Sequence, residues 1–534
     1  LTPSMHFDNN IPKTTFYTGI FYGLIGLLLW PVFSLESILT HDGAAHVYNS
    51  CLIREMVTGN SLYSEFVQLK KFPEPNWIGH FILSVTGGFV SPVAAEKIFI
   101  GALIIFLPFF FRKTAKIVSG NFSSVSFLVF PFVYSYFLFG GLYNFIAGVA
   151  VFFAALYTTL PKLESMNRKS YFGLFAFSLI LYFSHLVVYG VFLILIAMAL
   201  VFIVASKSNT DYSGFLKNLI KMSVPIVLVL LPSLILLSVF MTDKLVGQNA
   251  TSSVKFAELI DALIYISPII TLQYSPENIY SLIIFILFIA LFVTGIILKI
   301  RSKTPLSAPK IFYKRPLYWI SASVLMLALF FFLPDQAASG GVLKFRFEFF
   351  FFLFLALAVS TLPFLKFTKP VLVLLISFWV VFKFTYLFPK MKLLSKDVAS
   401  VLRFTETMEE NSILLPLNYS PNWMHCNVLN YAGTVKGILV LDNYEAGMPH
   451  FPLEWKKDRN PVVLMGNFNI SPPPLCADAD FFEKKTGHII DYVVVWNYSS
   501  LEDTCTMNIQ KMLAERYYLV YNEQELVKLY KRNP

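Results

Sequence analysis

Eleven apolar runs follow one another along most of this chain, at residues 16–35, 97–111, 123–139, 142–160, 171–184, 186–206, 218–241, 279–299, 317–333, 347–365 and 371–388. A helix needs about 20 apolar residues to cross a hydrocarbon core about 30 Å thick, and the shorter runs require help from flanking aromatic side chains. The chain is 56% hydrophobic and only 14% charged over 534 residues, against about 25% charged in soluble proteins. The sequence therefore predicts a polytopic α-helical membrane protein with about 11 transmembrane helices. A net charge of +10 does not point to nucleic acid, because the basic residues sit in short clusters between apolar runs.

Those clusters predict sidedness. Arg112, Lys113 and Lys116, then Lys162 with Arg168 and Lys169, Lys207 with Lys217 and Lys221, Lys299, Arg301 and Lys303 with Lys314 and Arg315, and Lys366 with Lys369 mark every second loop. Cytoplasmic loops are enriched in Lys and Arg. With those loops inside, the opposite face receives 36–96, 138–145, the break at Ser184-His185, 242–278, 334–346 and everything from 389 onward. Lys13 before the first run, which reads as a retained signal anchor, places the N-terminus in the cytoplasm. The stretch Trp77 to Val90 then cannot cross fully and reads as re-entrant or interfacial. The rival topology has 12 spans, an external N-terminus and Asp42 in the cytoplasm.

Beyond residue 388 the apolar density falls. Strand-like runs at Ile413–Leu417, Gly437–Leu441, Val462–Met465, Ile489–Trp496 and Tyr517–Tyr521 alternate with amphipathic stretches at Leu394–Glu410 and Ser500–Glu515, predicting an extracytoplasmic α/β domain. The expected division is a transmembrane module over 1–388, with a first external loop at 36–96, and a domain over 389–534. Of the cysteines, Cys51, Cys426, Cys476 and Cys505, three lie in that last segment, which suits one disulfide and an unpaired thiol; none has metal-finger spacing.

The ionisable residues next to the membrane carry the chemical signal. His41-Asp42-Gly43-Ala-Ala-His46 follows the first run directly. If a helix starts here, Asp42 and His46 share one face, and a partly dehydrated carboxylate is a candidate general base. The simpler reading makes Asp42 the cap of a helix over Val47–Met56. Arg346, in Lys344-Phe-Arg346-Phe-Glu348, begins an apolar run, where its planar fork suits a phosphate. A salt bridge to Glu348 or a snorkelling side chain is the alternative. His185 and Asn144 occupy predicted external junctions, and His80 lies in the Trp77 stretch.

An initial span, an external loop with an acid and amphipathic helices, a Pro-rich Phe72-Pro-Glu-Pro-Asn76 leading into another helix, many spans and a terminal α/β domain together resemble the GT-C superfamily of polyprenyl-phosphate-dependent glycosyltransferases. The chain resembles the protein mannosyltransferase and aminoarabinose transferase type, as a divergent member would. Asp42 matches the family's first acid, but Gly43 replaces the second, Asn144 stands where many relatives have Asp, and His185 where many have Lys. The resemblance implies an inverting glycosyltransferase that moves a sugar from a polyprenyl-phosphate donor to a lipid-linked or protein acceptor outside a bacterial inner membrane. Asp42 would be the base and Arg346, Lys344 and His185 would hold the donor phosphate, with His41, His46, His80 and Asn144 lining the site. With one acid in the expected places the reaction is expected to need no metal; a zinc-like site from His41, Asp42 and His46 is the alternative. The missing acids also suit a non-catalytic scaffold subunit of a larger membrane complex.

Overall fold

The computed structural model describes residues 11–59, 61–120, 124–207, 212–245, 254–303, 305–307, 310–336, 341–466, 468, 476–497 and 504–534. Parts of the predicted external segments 242–278 and 334–346, and the first residues of the Ser500–Glu515 stretch, lie outside the described residues.

Among the described residues seven helices are long and apolar enough to cross a membrane: Thr15–Ser34, Pro92–Ser119, Tyr143–Lys162, Leu186–Ser206, Tyr212–Thr242, Tyr274–Arg301 and Thr368–Glu406. The other four expected spans fall on shorter or more charged pieces: Ser124–Phe132 with Tyr136–Phe139, then Arg168–Ser184, Pro316–Phe332 and Leu343–Ser360. Trp77–Thr86 is a helix of 10 residues, about 15 Å long and half of what a span needs.

The described chain forms two compact units. The first comprises Leu1–Trp30, Ala102–Phe137 and Phe145–Leu387. At its centre lies the helix Leu343–Ser360, which is apolar around its whole circumference over Phe349–Val359 and is therefore buried rather than amphipathic. Its phenylalanines make edge-on contacts, Phe349 with Phe132 at 5.2 Å, Phe350 with Phe152 at 5.2 Å and Phe352 with Phe288 at 5.3 Å between centroids. Such pairs prefer tilted geometries and add about 0.5–1.5 kcal/mol each beyond area burial.

The second unit gathers Pro31–Gly101, Leu138–Asn144 and Phe388–Pro534, so the C-terminal segment shares its core with the predicted first external loop. Its sheet has the order β3 (Leu439–Val440), β2 (Ile413–Asn418), β5 (Tyr492–Trp496), β7 (Val527–Arg532), β6 (Tyr517–Glu523). Strands β3, β2 and β5 run parallel, whereas β7 and β6 close the other edge antiparallel. The central strands β2 and β5 are nearly continuous apolar runs because both faces are covered. A separate ladder pairs β1 (Val67–Leu69) with β4 (Leu453–Trp455) antiparallel.

Two local expectations change. Val462–Met465 is the body of a helix, Pro461–Met465, in which the Asn460 side chain accepts the Val462 N–H and Pro461 takes the first helical position; this Asn-Pro start outweighs the β-branched pair. The amphipathic Leu394–Glu410 stretch is the end of a single 39-residue helix, Thr368–Glu406, that begins in the last apolar run. Cys476 and Cys505 form a disulfide, and Cys51 and Cys426 are both free. A disulfide suits an oxidising compartment for this unit.

Candidate functional site

The second unit positions Asp42 through backbone contacts with a glycine turn. His41 N–H donates to Phe139 O at 2.8 Å and Asp42 N–H to Gly140 O at 3.3 Å. Gly141 sits at φ +73, and a side chain there would strike the Asp42 and Gly43 backbone, so only glycine fits. The helix Gly43–Thr58 starts just after Asp42, yet the Asp42 side chain makes no capping hydrogen bond. Instead Oδ1 accepts from Asn427 Nδ2 at 3.1 Å and lies 2.9 Å from His41 Nδ1. Asn427 also donates to His41 O, and the His41 ring lies against Trp423. The carboxylate remains 15% exposed. The side chain therefore does not cap the helix and is held instead by His41 and Asn427.

One turn along that helix, His46 belongs to a different cluster. His46 Nδ1 lies 2.6 Å from Glu445 Oε1, and His80 Nε2 lies 2.8 Å from Glu445 Oε2. All three are buried. The outer nitrogens are anchored to carbonyls: His46 Nε2 to Gly141 O at 2.9 Å and His80 Nδ1 to Asn76 O at 3.1 Å. Asn49 Nδ2 donates to Glu445 Oε2 at 2.7 Å. Burial works against charge on His46, but the Glu445 carboxylate overcomes it and lifts the imidazole to about 9. Burial likewise favours a neutral Glu445, yet His46 and His80 hold its carboxyl at about 2. The described residues that can jointly hold a metal ion are these three, and not His41, Asp42 and His46.

Glu96 forms a third buried centre. Its Oε1 accepts the Tyr143 hydroxyl at 2.7 Å and its Oε2 the Tyr431 hydroxyl at 2.6 Å, while Tyr143 and Thr40 hydroxyls meet at 2.7 Å. Burial, reinforced by the Glu96 charge, pushes the Tyr431 phenol well up. A side chain on Gly43 would collide with Glu96 Oε1, Thr40 Oγ1 and the Tyr143 hydroxyl. Glu96, Thr40 and Tyr143 thus occupy the space that any side chain at position 43 would need.

Asn144 is a clamp. Its Oδ1 accepts the Gly79 N–H at 2.7 Å and its Nδ2 donates to Asn76 O at 3.0 Å. It thereby fixes the first turn of Trp77–Thr86 and, through Asn76 O, the orientation of His80.

The remaining candidates lie in the first unit. Arg346 is 7% exposed, its guanidinium is 5.7 Å from the centre of the Phe145 ring, and its buried Nε has no hydrogen-bond partner among the described residues. Glu348 does not pair with it; Glu348 Oε1 accepts the Ser267 N–H at 3.1 Å, as expected for residues two apart on a helix. His185 packs edge-on against the same Phe145 ring at 5.3 Å and uses Nδ1 to accept the Val187 N–H at 3.2 Å. Lys344 Nζ donates to Phe330 O and Phe331 O, at the end of the helix Pro316–Phe332, so its charge serves the helix terminus.

Glu445, Glu96 and Asn427 are absent from the sequence-level candidates. Glu96 carried a usable signal, since a lone carboxylate at the head of an apolar helix meets the same criterion that singles out Arg346. Glu445 carried none: it stands in a hydrophilic segment like many other acids.

No protein-family model and no curated protein matches the chain. Among solved structures it is similar to ArnT from Cupriavidus metallidurans bound to undecaprenyl phosphate, at 10% identity and a TM-score of 0.39 over 97% of this chain and 98% of that one. It is also similar to the Archaeoglobus fulgidus oligosaccharyltransferase tethered with an acceptor peptide, at 11% identity and a TM-score of 0.41 over 99% of this chain and 74% of that one. Both likenesses are distant.

Proposed function

We propose that this chain is an inverting membrane glycosyltransferase that uses a polyprenyl-phosphate sugar as donor and acts on a lipid-linked glycan or protein acceptor outside a bacterial inner membrane. The observation that carries this reading is the Asp42 carboxylate, which leads a buried helix without capping it and is steadied through Oδ1 by His41 and Asn427. A held, partly exposed carboxylate suits general-base work, for which it must come within about 2.6–3.2 Å of the proton it removes.

In the proposed step Asp42 takes the proton of an acceptor hydroxyl or amine as that atom bonds to the anomeric carbon. The bond from that carbon to the phosphate oxygen breaks, and the lipid phosphate leaves with the electron pair. Separately, within the first unit, Arg346 is proposed as a guanidinium for a lipid phosphate; support comes from its burial, its unpartnered Nε among the described residues and the proximity of His185 across Phe145. Lys344 contributes less directly, because its ammonium is already held by carbonyls.

The test is transfer from a polyprenyl-phosphate sugar by the full chain in proteoliposomes. Asp42→Asn should lower turnover by at least about 100-fold, in the range general-base removal costs, while donor binding persists. Unchanged turnover in Asp42→Asn overturns the mechanism. Absence of transfer by the wild type across donors, with stable co-purification of partner proteins, favours the scaffold reading that Gly43 in place of an acid suggests.

A further inference from the structure

We propose that His46, His80 and Glu445 form a binding site for one divalent transition-metal cation of the Zn²⁺ class, a two-histidine, one-carboxylate set.

The hydrogen bonding of the two rings carries the argument. A backbone carbonyl can only accept, so the His46 nitrogen at Gly141 O and the His80 nitrogen at Asn76 O each carry the ring hydrogen. The inward nitrogens, His46 Nδ1 and His80 Nε2, then both face the Glu445 carboxylate, at 2.6 Å from Oε1 and 2.8 Å from Oε2. One ligand atom from each of the three buried side chains lies within 4.8 Å of the other two. Metal-ligating histidines show this arrangement, with the distal N–H given to a carbonyl or carboxylate, which fixes the tautomer.

A second observation points the same way. His46 Nδ1 and Glu445 Oε1 are 2.6 Å apart, yet neither makes a hydrogen bond of acceptable direction, and both atoms are buried. The two rings meet edge-on with centroids 5.1 Å apart in a buried place, where one dication can draw on both. Zn–N bonds of about 2.0–2.1 Å put tetrahedral donors about 3.3 Å apart. The two ring-to-carboxylate contacts, 2.6 Å and 2.8 Å, would open by about 0.5–0.7 Å to reach that spacing.

The site is built to hold shape. Its ligands come from the helix Gly43–Thr58, the helix Trp77–Thr86 and the turn Glu445–Gly447, with Asn49 on Glu445 Oε2 and Asn144 behind Asn76. A bound ion would cross-link three separate segments of the second unit, independently of whether the chain transfers sugars.

The experiment uses the full chain in detergent, stripped with a chelator, dialysed, and titrated with Zn²⁺ or Co²⁺ alone. The expected result is about one ion per chain, a tetrahedral Co²⁺ visible spectrum, imidazole scattering in X-ray absorption, and a raised apparent melting temperature. His80→Ala and Glu445→Gln should each weaken the metal at least about 10-fold, while His41→Ala leaves it in place. The wild-type spectra decide the matter even where a variant fails to fold. Stoichiometric binding absent from the wild type, absorption without imidazole ligands, or equal loss in His41→Ala overturns the proposal.

Discussion

Glu96 Oε1 lies where a side chain on Gly43 would have to be, with the Tyr143 hydroxyl and Thr40 Oγ1 closing the same space. The helix bearing His46 can therefore approach Glu96 only because position 43 carries no Cβ. Gly43→Ala should destabilise the second unit by about 1–3 kcal/mol, the usual cost of forcing a group into a packed interior. A thermal melt in detergent should show the drop, and a melt equal to wild type would mean that the Glu96 side chain moves aside freely.

Tyr431 donates to Glu96 Oε2 from a fully buried ring. Tyr431→Phe keeps the ring and leaves the buried carboxylate oxygen without that donor, which should cost about 1–3 kcal/mol. Pairing it with Glu96→Leu in a double-mutant cycle should recover part of the loss, because the acceptor is then gone as well. Strict additivity of the two changes would argue against the bond.

Asp442 gives the pH prediction. Burial raises its carboxyl from 3.8 to about 7, against the opposing hydrogen bond from Asn430, and Tyr48 and Cys426 are the titratable groups that feel its charge. Between about pH 4 and pH 7 the folded chain holds a proton that the unfolded chain has released. Stability should accordingly fall as pH rises through that window and level off above about pH 7. Asp442→Asn should flatten the slope, measured as apparent melting temperature against pH; an unchanged slope would assign it to another group.

Arg346→Lys tests the phosphate role in the first unit. The change keeps the charge and removes the planar fork, so the Michaelis constant for a lipid-phosphate donor should rise on the order of 10-fold with little change in melting temperature. An equal effect on donors with and without the phosphate would remove Arg346 from donor recognition.

The membrane class was legible because apolar content is a local and additive property: the long runs around 186–206, 218–241 and 279–299 each became a helix of spanning length. Strands β2 and β5 were legible for a similar reason, as short β-branched and leucine-rich runs too brief for helices. Val462–Met465 misled because a cap and a proline outweigh two valines when the segment is only five residues long. Within the block 41–46, His41 pairs with Asp42, whereas His46 turns to Glu445.

That turn is the part only tertiary structure decides. Spacing along a helix sets which side chains share a face, and it places Asp42 and His46 near one another. It carries no information on which carboxylate, some 400 residues later, packs against that face. Burial strengthens electrostatic interactions by removing water, so a residue's role depends on the partners that folding brings within about 3 Å. Sequence alone thus determined that this is a multi-spanning chain with ionisable residues beside its first apolar helix. The fold decided that Asp42 is held by Asn427, that Glu96 occupies the space beside Gly43, and that His46 and His80 converge on Glu445.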